Sequence, residues 1–176
     1  DVVPVGDIEL TVLGEVSSVL REQYGVAAEV HAQVPYETLD IEVQTPPYDG
    51  ETLLSPGAQR ETNRPSVVIT RLSVTYDDRA FVFGIADTDN SVCLVSTYQL
   101  FQSADDPDDY TDPTTASERV RKEVAHEVGH VFGLSHCDTA GCVMNFSMQL
   151  ADIDAKTESL CAGCVSTLTA AEEPAV

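Results

Sequence analysis

Apolar residues recur with helical spacing in two parts of this chain. From Ile8 to Leu20 they stand three or four positions apart, which places them on one face of an α-helix. We predict that Asp7 caps this helix and that Gly25 ends it. A second run, ERVRKEVAHEVGHVF at 118–132, carries valines at the same spacing and predicts another long helix.

The second helix also has predicted boundaries. Thr115 and Glu118 form a T-x-x-E capping box, which satisfies backbone N–H groups at a helix start. Gly133 follows the last apolar position, and glycine readily takes the left-handed conformation that ends a helix. We therefore expect the helix to occupy the stretch between Thr115 and Gly133.

Several segments rich in β-branched and aromatic residues predict strands. They are DVVPV (1–5), SVVIT (66–70), AFVFGIA (80–86) and SVCLVSTYQL (91–100). The DTDN sequence between the last two suits a hairpin turn. VAAEVHAQV at 26–34 alternates like a further strand, and His31 within it is interpreted as an ordinary strand residue and not as a ligand.

The arrangement of these elements indicates a single domain of the α/β or α+β class, and 176 residues suffice for a buried core. Between 34 and 65 prolines, glycines and polar residues predominate, which predicts a long irregular segment. The cysteine-rich part that follows the second long helix is predicted to be poor in helix. The end of the chain, TAAEEPAV after Leu168, is predicted to fray.

Acidic residues outnumber basic ones by 30 to 9, which gives a formal net charge of −21. This charge repels nucleic acids and anionic membranes, so we expect neither as a partner. Because the acids are spread along the chain, we interpret them as a surface adapted to high salt, with a basic partner or a calcium site as alternatives. The acidic run ADDPDDY at 104–110 lacks the ligand pattern of a calcium loop and is predicted to be a solvated loop.

No stretch approaches the length of a membrane span, and no charged leader followed by an apolar segment is visible, so we expect a monomeric cytoplasmic protein. Five cysteines do not resemble a disulfide scaffold. Four of them fall between 137 and 164, and this clustering indicates a metal site. Cys93 lies apart and is predicted to be a small buried residue.

The motif HEVGHVFGLSH holds three of the four histidines. Residues four apart share a helix face, so His126 and His130 can direct two imidazoles at one ion. Glu127 lies beside them, where it can reach a metal-bound water as a general base without displacing a ligand. Gly133 lets the backbone turn, so that His136 returns as the third ligand. Three imidazoles leave one position open, as in a catalytic zinc site; histidines packed in the core are the alternative.

The cysteines next to this motif predict a second ion. In an extended turn the adjacent side chains of His136 and Cys137 point apart, so they serve different metals. The spacing C-x4-C followed by C-x2-C is typical of structural zinc, with two disulfides or four free thiols as alternatives. We therefore expect two zinc ions per chain, the second held by four thiolates. These are Cys137, Cys142, Cys161 and Cys164.

The motif HExxHxxGxxH followed by Met144 resembles the metzincin clan of zinc peptidases. The added C-x4-C-x-M and C-x2-C resemble one branch of that clan, the archaemetzincins. Segments upstream are similar to that family in the same order. They are VPVGD, PYD, FVFG and VSTYQL.

This resemblance implies an α+β fold in which a twisted mixed sheet packs with two main helices. It also implies an active-site helix, a Met-turn and a small cysteine-rich C-terminal subdomain that binds zinc. We divide the chain accordingly into one metallopeptidase domain over 1–168 and a frayed tail over 169–176. Within the domain, 1–133 form an upper subdomain with the active-site helix and 134–168 form a lower one with the Met-turn and the tetrathiolate site.

The resemblance further implies a role for each residue of the motif. His126, His130 and His136 bind the catalytic zinc, and Glu127 is the general base and later the acid. The four clustered cysteines hold the structural zinc, and Met144 forms a hydrophobic floor below the catalytic site.

Two features depart from the family pattern, and a third distinguishes the chain from some other metzincins. The interval from Met144 to Cys161 is about one residue shorter, a difference that a loop absorbs. GETLLSPGAQRE follows PYD in place of an R-x-Q-Y-like stretch. Phe146 stands where some other metzincins have a tyrosine, and phenylalanine can neither bind zinc nor donate a hydrogen bond.

The predicted activity is zinc-dependent hydrolysis of a peptide or protein substrate that lies extended along the strand 91–100. The alternative is a catalytically quiet zinc protein that serves as a scaffold for binding or assembly. Glu127 favours the enzyme, because a purely structural zinc site has no use for a base.

Overall fold

The computed structural model describes residues 1–39, 41, 46–60, 62, 64–106 and 109–172, which form two mixed sheets and five α-helices. Its strands are β1 (Val2–Val5), β2 (Tyr48–Asp49), β3 (Ser66–Thr70), β4 (Val74–Tyr76), β5 (Arg79–Val82), β6 (Gly84–Asp87) and β7 (Val92–Ser96). Its helices are α1 (Leu10–Tyr24), α2 (Gly50–Ala58), α3 (Pro113–Val131), α4 (Leu150–Ala155) and α5 (Ala162–Glu172), with a short 3-10 helix at Tyr36–Thr38.

The larger sheet has the strand order β1-β3-β7-β6. Its first three strands are parallel and fully buried, as expected of strands covered by helices on both faces. The edge strand β6 runs antiparallel to β7, and the predicted hairpin between them is confirmed. β7 is a central strand and not an edge, so the expectation that a substrate lies along 91–100 is wrong.

The predicted strand 80–86 belongs to two sheets. Val82 pairs with Val74 in the smaller sheet β2-β4-β5, whereas Gly84 pairs with Val95 in the larger one. The chain therefore changes partners at Phe83, which is buried. This switch brings the β4–β5 hairpin to the same side of the molecule as the edge strand β6.

Residues 26–34 were predicted to form a strand, but they make only two isolated bridges to β1. Val2 is bridged to Val30 and Val5 to Val34, so three steps along β1 correspond to four along the other segment. This extra residue breaks the register, and a continuous ladder cannot form.

The prediction of an irregular segment over 34–65 is wrong where the structure describes it, because α2 lies within it. The Asp49 side chain caps this helix by accepting a hydrogen bond of 2.8 Å from Thr52 N. Leu53 and Leu54 are buried against the larger sheet, which supplies the stabilisation that local propensity lacks. Residues 40, 42–45, 61 and 63 lie outside the described part.

The two long helices start at other residues than predicted. α1 has Glu9 at its N-cap without a side-chain bond, and Asp7 does not cap it. Asp112 caps α3 by accepting from the backbone N–H groups of Thr114 and Thr115, so Thr115 lies inside the first turn. Proline at position 113 favours this start, since its fixed φ suits the first helical residue.

The C-terminal part is not poor in helix, because α4 and α5 lie there. Residues 169–172 continue α5 instead of fraying, whereas 173–176 lie outside the described residues. The side chain of Arg119 in α3 donates two hydrogen bonds of 2.7 Å to Asp154 in α4, and it also binds the backbone oxygen atoms of Leu100 and Gln102. This buried guanidinium joins α3 to α4 and to the segment that follows β7.

No described helix has the length and apolar character needed to cross a membrane. The acidic segment 104–110 is exposed at its described residues, and 107 and 108 lie outside them.

Candidate active site and metal centres

The structure brings the three predicted histidine ligands together. His126 and His130 share one face of α3, and the chain turns back at Gly133, whose φ is +87°. His136 then completes a group whose ligand atoms all lie within 4.8 Å of one another. The Nε2 atoms of His126 and His130 are 3.1 Å apart.

Hydrogen bonds fix which ring nitrogens face the centre of this group. Nδ1 of His126 lies 2.9 Å from the oxygen of Val143, and Nδ1 of His130 lies 2.8 Å from the oxygen of Leu134. A carbonyl oxygen only accepts, so both Nδ1 atoms carry a proton and both Nε2 atoms keep a free lone pair. Burial lowers the pKa of His126 to about 3 and also lowers the pKa values of His130 and His136. The rings are therefore neutral, as metal ligands must be.

The distances suit a zinc ion. Zn–N bonds of about 2.0–2.1 Å in tetrahedral geometry separate two ligand nitrogens by about 3.3 Å. The observed 3.1 Å between two nitrogens that cannot donate to each other is close to this value. The donor set and its tautomers thus fit zinc at this position.

Glu127 is buried beside the histidines and lines the cleft in front of them. Burial, followed by the negative charge of Glu123, raises its pKa well above the usual range of a carboxyl group. Edge strand β6 passes so close that a Cβ atom at Gly84 would lie 2.5 Å from Glu127 Oε1. Any larger residue at this position would force the Glu127 carboxyl group to move.

Two charged residues that sequence reasoning missed lie behind the site. Glu123 stands one turn before Glu127 on α3 and is 4% exposed. Burial raises its pKa, and the ammonium group of Lys156 opposes that effect. Lys156 Nζ donates to the oxygens of Asn145 at 2.8 Å and Val143 at 3.2 Å. In the sequence, Lys156 could have been noticed only because it is one of two lysines in the chain.

Met144 is fully buried against the active-site helix. A Cβ atom at Gly129 would lie 2.5 Å from the Met144 sulfur, so any larger residue at this position of α3 would displace the Met144 side chain. The oxygen of Met144 accepts a hydrogen bond of 3.0 Å from Cys137 N. Met144 therefore lies between the histidine group and the cysteine group and contacts the elements that carry both.

The four clustered cysteines form a second group, whose sulfurs all lie within 4.8 Å. Cys137 and Cys161 are 3.7 Å apart, and Cys142 and Cys164 are 3.8 Å apart. Four Zn–S bonds of about 2.3 Å in tetrahedral geometry give sulfur separations of about 3.8 Å. None of the five cysteines forms a disulfide, so the alternative of two disulfides is not realised.

Backbone groups stabilise the thiolate form of this cluster. Thr139 N donates to Cys137 Sγ and Cys161 N donates to Cys142 Sγ, each at 3.4 Å. The backbone N–H of Cys164 lowers the pKa of Cys161 to about 6. Burial raises the pKa of Cys164, and a bound cation would offset that cost. The cluster is closed by its own ligands, which suits a structural ion.

A cleft of about 990 Å³ opens in front of the histidines. The β4–β5 hairpin and edge strand β6 form one wall, and α3 with the loop after Met144 forms the other. Phe146 is 46% exposed in this loop, and its ring meets the ring of His136 edge-on at 5.0 Å.

The remaining candidates lie elsewhere. His31 is bound to Asp1 at 3.0 Å and to Arg60 at 3.0 Å, far from the other histidines in the fold. Arginine side chains surround this group, and their positive charge disfavours a metal ion there. Cys93 is fully buried in β7, as predicted, and burial raises its pKa well above the usual range.

An open histidine site with a buried carboxyl group at the rim of a cleft is the arrangement of a zinc metallopeptidase. The sequence profile of Peptidase family M54 matches residues 60–170. The chain belongs to this family, and it is a zinc metallopeptidase.

Its relatives carry the name archaemetzincin. The archaemetzincin of Halobacterium salinarum is 35% identical over 169 residues, which cover 96% of this chain and 98% of the relative. That of Natronomonas pharaonis is 35% identical over 167 residues, covering 93% and 95%. Both source organisms are haloarchaea, which agrees with the interpretation of the acidic surface as adapted to high salt.

Two solved structures share the fold. The archaemetzincin from Methanopyrus kandleri has a TM-score of 0.76 at 27% identity, and the match covers 97% of this chain and 93% of that one. The archaemetzincin from Archaeoglobus fulgidus, in complex with malonate, has a TM-score of 0.74 at 24% identity, with 94% and 97% covered. The predicted α+β class with mixed sheets is thereby confirmed.

Proposed function

We propose that Glu127 is the proton-transfer residue of this peptidase and that His126, His130 and His136 bind its catalytic zinc through Nε2. The observation that carries this proposal is the convergence of three neutral imidazoles on one point beside a buried carboxyl group. A catalytically quiet scaffold would gain nothing from such a group, because burying a carboxyl group beside a second carboxyl group, that of Glu123, costs stability.

A zinc ion at this position supplies Lewis acidity, which polarises a carbonyl group and makes water a better nucleophile at neutral pH. Glu127 takes the proton of the attacking water on a carboxylate oxygen and later gives it to the leaving amine nitrogen. Burial raises its pKa, which makes its carboxylate a stronger base than an exposed one. Gly84 and β6 cover the carboxyl group and keep bulk water away from it.

The substrate is proposed to bind as an extended peptide along β6. This strand pairs only with β7 among the described strands, so its outer backbone groups face the cleft. An extended peptide can add to such an edge through main-chain hydrogen bonds. The scissile bond then lies between β6 and the histidines.

The four clustered cysteines are proposed to hold a second zinc ion with a structural role. Their sulfur separations, their closed arrangement and the backbone donors around them support this proposal. We propose Met144 as the residue of a Met-turn below the catalytic site. The domain over 1–168 is divided at 133/134, where the chain leaves α3, into an upper part and a lower part that the second ion stabilises.

We further propose that the protein works as a cytoplasmic monomer on peptides or proteins. The net charge of −21 disfavours nucleic acids and anionic membranes as partners.

Elemental analysis of the purified protein is expected to find two zinc ions per chain. One ion, at the open histidine site, should be removed quickly by a chelator together with peptide cleavage. The other, enclosed by four thiolates, should resist the chelator. The variant His126→Ala should retain only the resistant ion. A single zinc ion in the native protein that is lost in His126→Ala would contradict the two-site proposal.

Thermal stability is expected to rise from dilute buffer to molar KCl. Repulsion within a chain of charge −21 acts over about 10 Å at 0.1 M salt but only about 3 Å at 1 M. The melting temperature should be measured across this range, with a nonionic solute of equal osmolality as the control. Melting temperatures that stay flat or fall with KCl would favour a basic partner as the reason for the acidic surface.

A further inference from the structure

Arg79 places the positive charge of its side chain inside the substrate cleft. It lies on β5, and its guanidinium carbon is 5.5 Å from the centre of the Phe146 ring. The Phe146 ring in turn is 5.0 Å from the ring of His136. Laid end to end, these two distances set an upper limit of 10.5 Å between the guanidinium group and the His136 ring centre. An extended peptide advances about 3.3 Å per residue, so Arg79 is within reach of substrate residues up to roughly three positions from the scissile bond.

Arg79 makes no ion pair in the described part of the protein, and its charge acts on Glu127 only from beyond ion-pair distance. Five of the seven arginines make ion pairs there; they are Arg60, Arg64, Arg71, Arg119 and Arg121. Asp77 belongs to the same hairpin and also lines the cleft, but it makes no ion pair with Arg79. In a chain with 30 acidic residues, this exposed guanidinium is available to an anion from outside.

The surroundings of Arg79 favour one kind of anion. It is the only lysine or arginine among the described residues that line the cleft. The guanidinium group lies over the Phe146 ring, a cation–π contact that favours this position of the Arg79 side chain. Phe81 and Met148 are exposed in the same cleft, so a bound group would be partly shielded from water. A planar guanidinium binds a carboxylate through two parallel hydrogen bonds, and such bonds strengthen when water is excluded.

We propose that Arg79 determines substrate specificity by binding a carboxylate of the peptide near the scissile bond. The carboxylate belongs either to an aspartate or glutamate side chain or to the C-terminus of the substrate. This inference rests on the proposed function, because it assumes that peptides occupy the cleft.

The experiment measures binding separately from cleavage. Full-length, zinc-loaded Glu127→Gln protein is immobilised in molar KCl and exposed to a library of short peptides, prepared with free C-terminal acids and with C-terminal amides. Mass spectrometry then reports which peptides are enriched. Peptides with a carboxylate at the preferred position should be enriched roughly tenfold over those with asparagine, glutamine or an amide there.

Variants at position 79 identify the group responsible. Arg79→Met should abolish the preference, and Arg79→Lys should retain part of it, because lysine keeps the charge without the planar fork. Arg21→Met removes an equal charge from an exposed position on α1, outside the cleft, and should leave the preference unchanged. Enrichment of acidic side chains would identify the side-chain source, and enrichment of free acids over amides would identify the C-terminus.

A preference that persists in Arg79→Met, or the absence of any carboxylate preference, would overturn this proposal. In protein with Glu127 intact, Arg79→Met should lower kcat/KM more for peptides that carry the carboxylate than for neutral peptides, because the Arg79 charge also acts on Glu127. An equal loss for neutral peptides would also overturn it, since Arg79 would then act on the reaction itself. Carboxylate binding without cleavage by any zinc-loaded preparation would instead contradict the proposed function and leave the role of Arg79 intact.

Discussion

Replacing Glu127 by glutamine is expected to abolish peptide cleavage while the catalytic zinc remains bound. The amide has nearly the same shape as the carboxyl group, but it cannot accept the proton of the attacking water. General-base catalysis contributes about 10²–10⁴ to the rate, and kcat/KM should fall by at least that factor. Zinc content should not change, because Glu127 is not a ligand in the proposed site.

Glu118→Gln is the matched control for this experiment. Glu118 lies on the same helix and is exposed, so the same chemical change there should leave both cleavage and zinc content as they were. Cleavage by Glu127→Gln at the rate of the native protein would show that another group accepts the proton. Loss of zinc from Glu127→Gln would show that the residue acts on the metal site instead.

Replacing Cys142 by serine is expected to release the structural zinc and to destabilise the C-terminal part of the protein. The free energy of metal binding at a closed site contributes directly to the stability of the fold. The substitution should therefore lower the free energy of unfolding by about 4 kcal/mol or more, which is among the largest effects of a single substitution. Activity should fall as well. Cys142 is followed by Val143, whose oxygen accepts the hydrogen bond of His126 Nδ1, so a displaced turn would misorient a catalytic ligand.

Denaturant unfolding, zinc analysis and hydrogen exchange of 137–168 would test this expectation. Cys93→Ala is the control, because it removes a buried thiol in β7 that belongs to neither metal group. It should keep both zinc ions and cost only about 1 kcal/mol, the usual effect of a small loss of core volume. A Cys142→Ser protein that keeps two zinc ions and native stability would contradict the structural role.

The candidate site was predictable because its residues are close in the sequence. Helical geometry alone places His126 and His130 on one face of α3. Glycine adopts positive φ without strain, so Gly133 alone allows the chain to turn back after the helix. The cysteine spacings are similarly local. The strands β1 and β3 were predictable for a related reason, since burial on both faces demands a continuous apolar run.

Other parts of the fold escaped prediction because distant packing decides them. α2 has weak local propensity and is held by Leu53 and Leu54 in the core. Both Asp112 and Thr115 are residue types that cap helices, and the sequence alone does not decide between them; in the structure Asp112 caps α3. The residues 26–34 have a strand pattern, but this segment has one residue more than β1 between its two bridges, so it does not form a continuous ladder with β1.

The sequence by itself determined the chemistry of this protein, namely three imidazoles, one carboxyl group and four thiols at spacings that local geometry can bring together. Only the tertiary structure decided the environment in which that chemistry operates. It placed Lys156 behind Glu127, brought β6 against its carboxyl group at Gly84, and put Arg79 over Phe146. The physical reason is that pKa shifts and substrate contacts depend on burial and on charges a few ångströms away, and these neighbours come from distant parts of the chain.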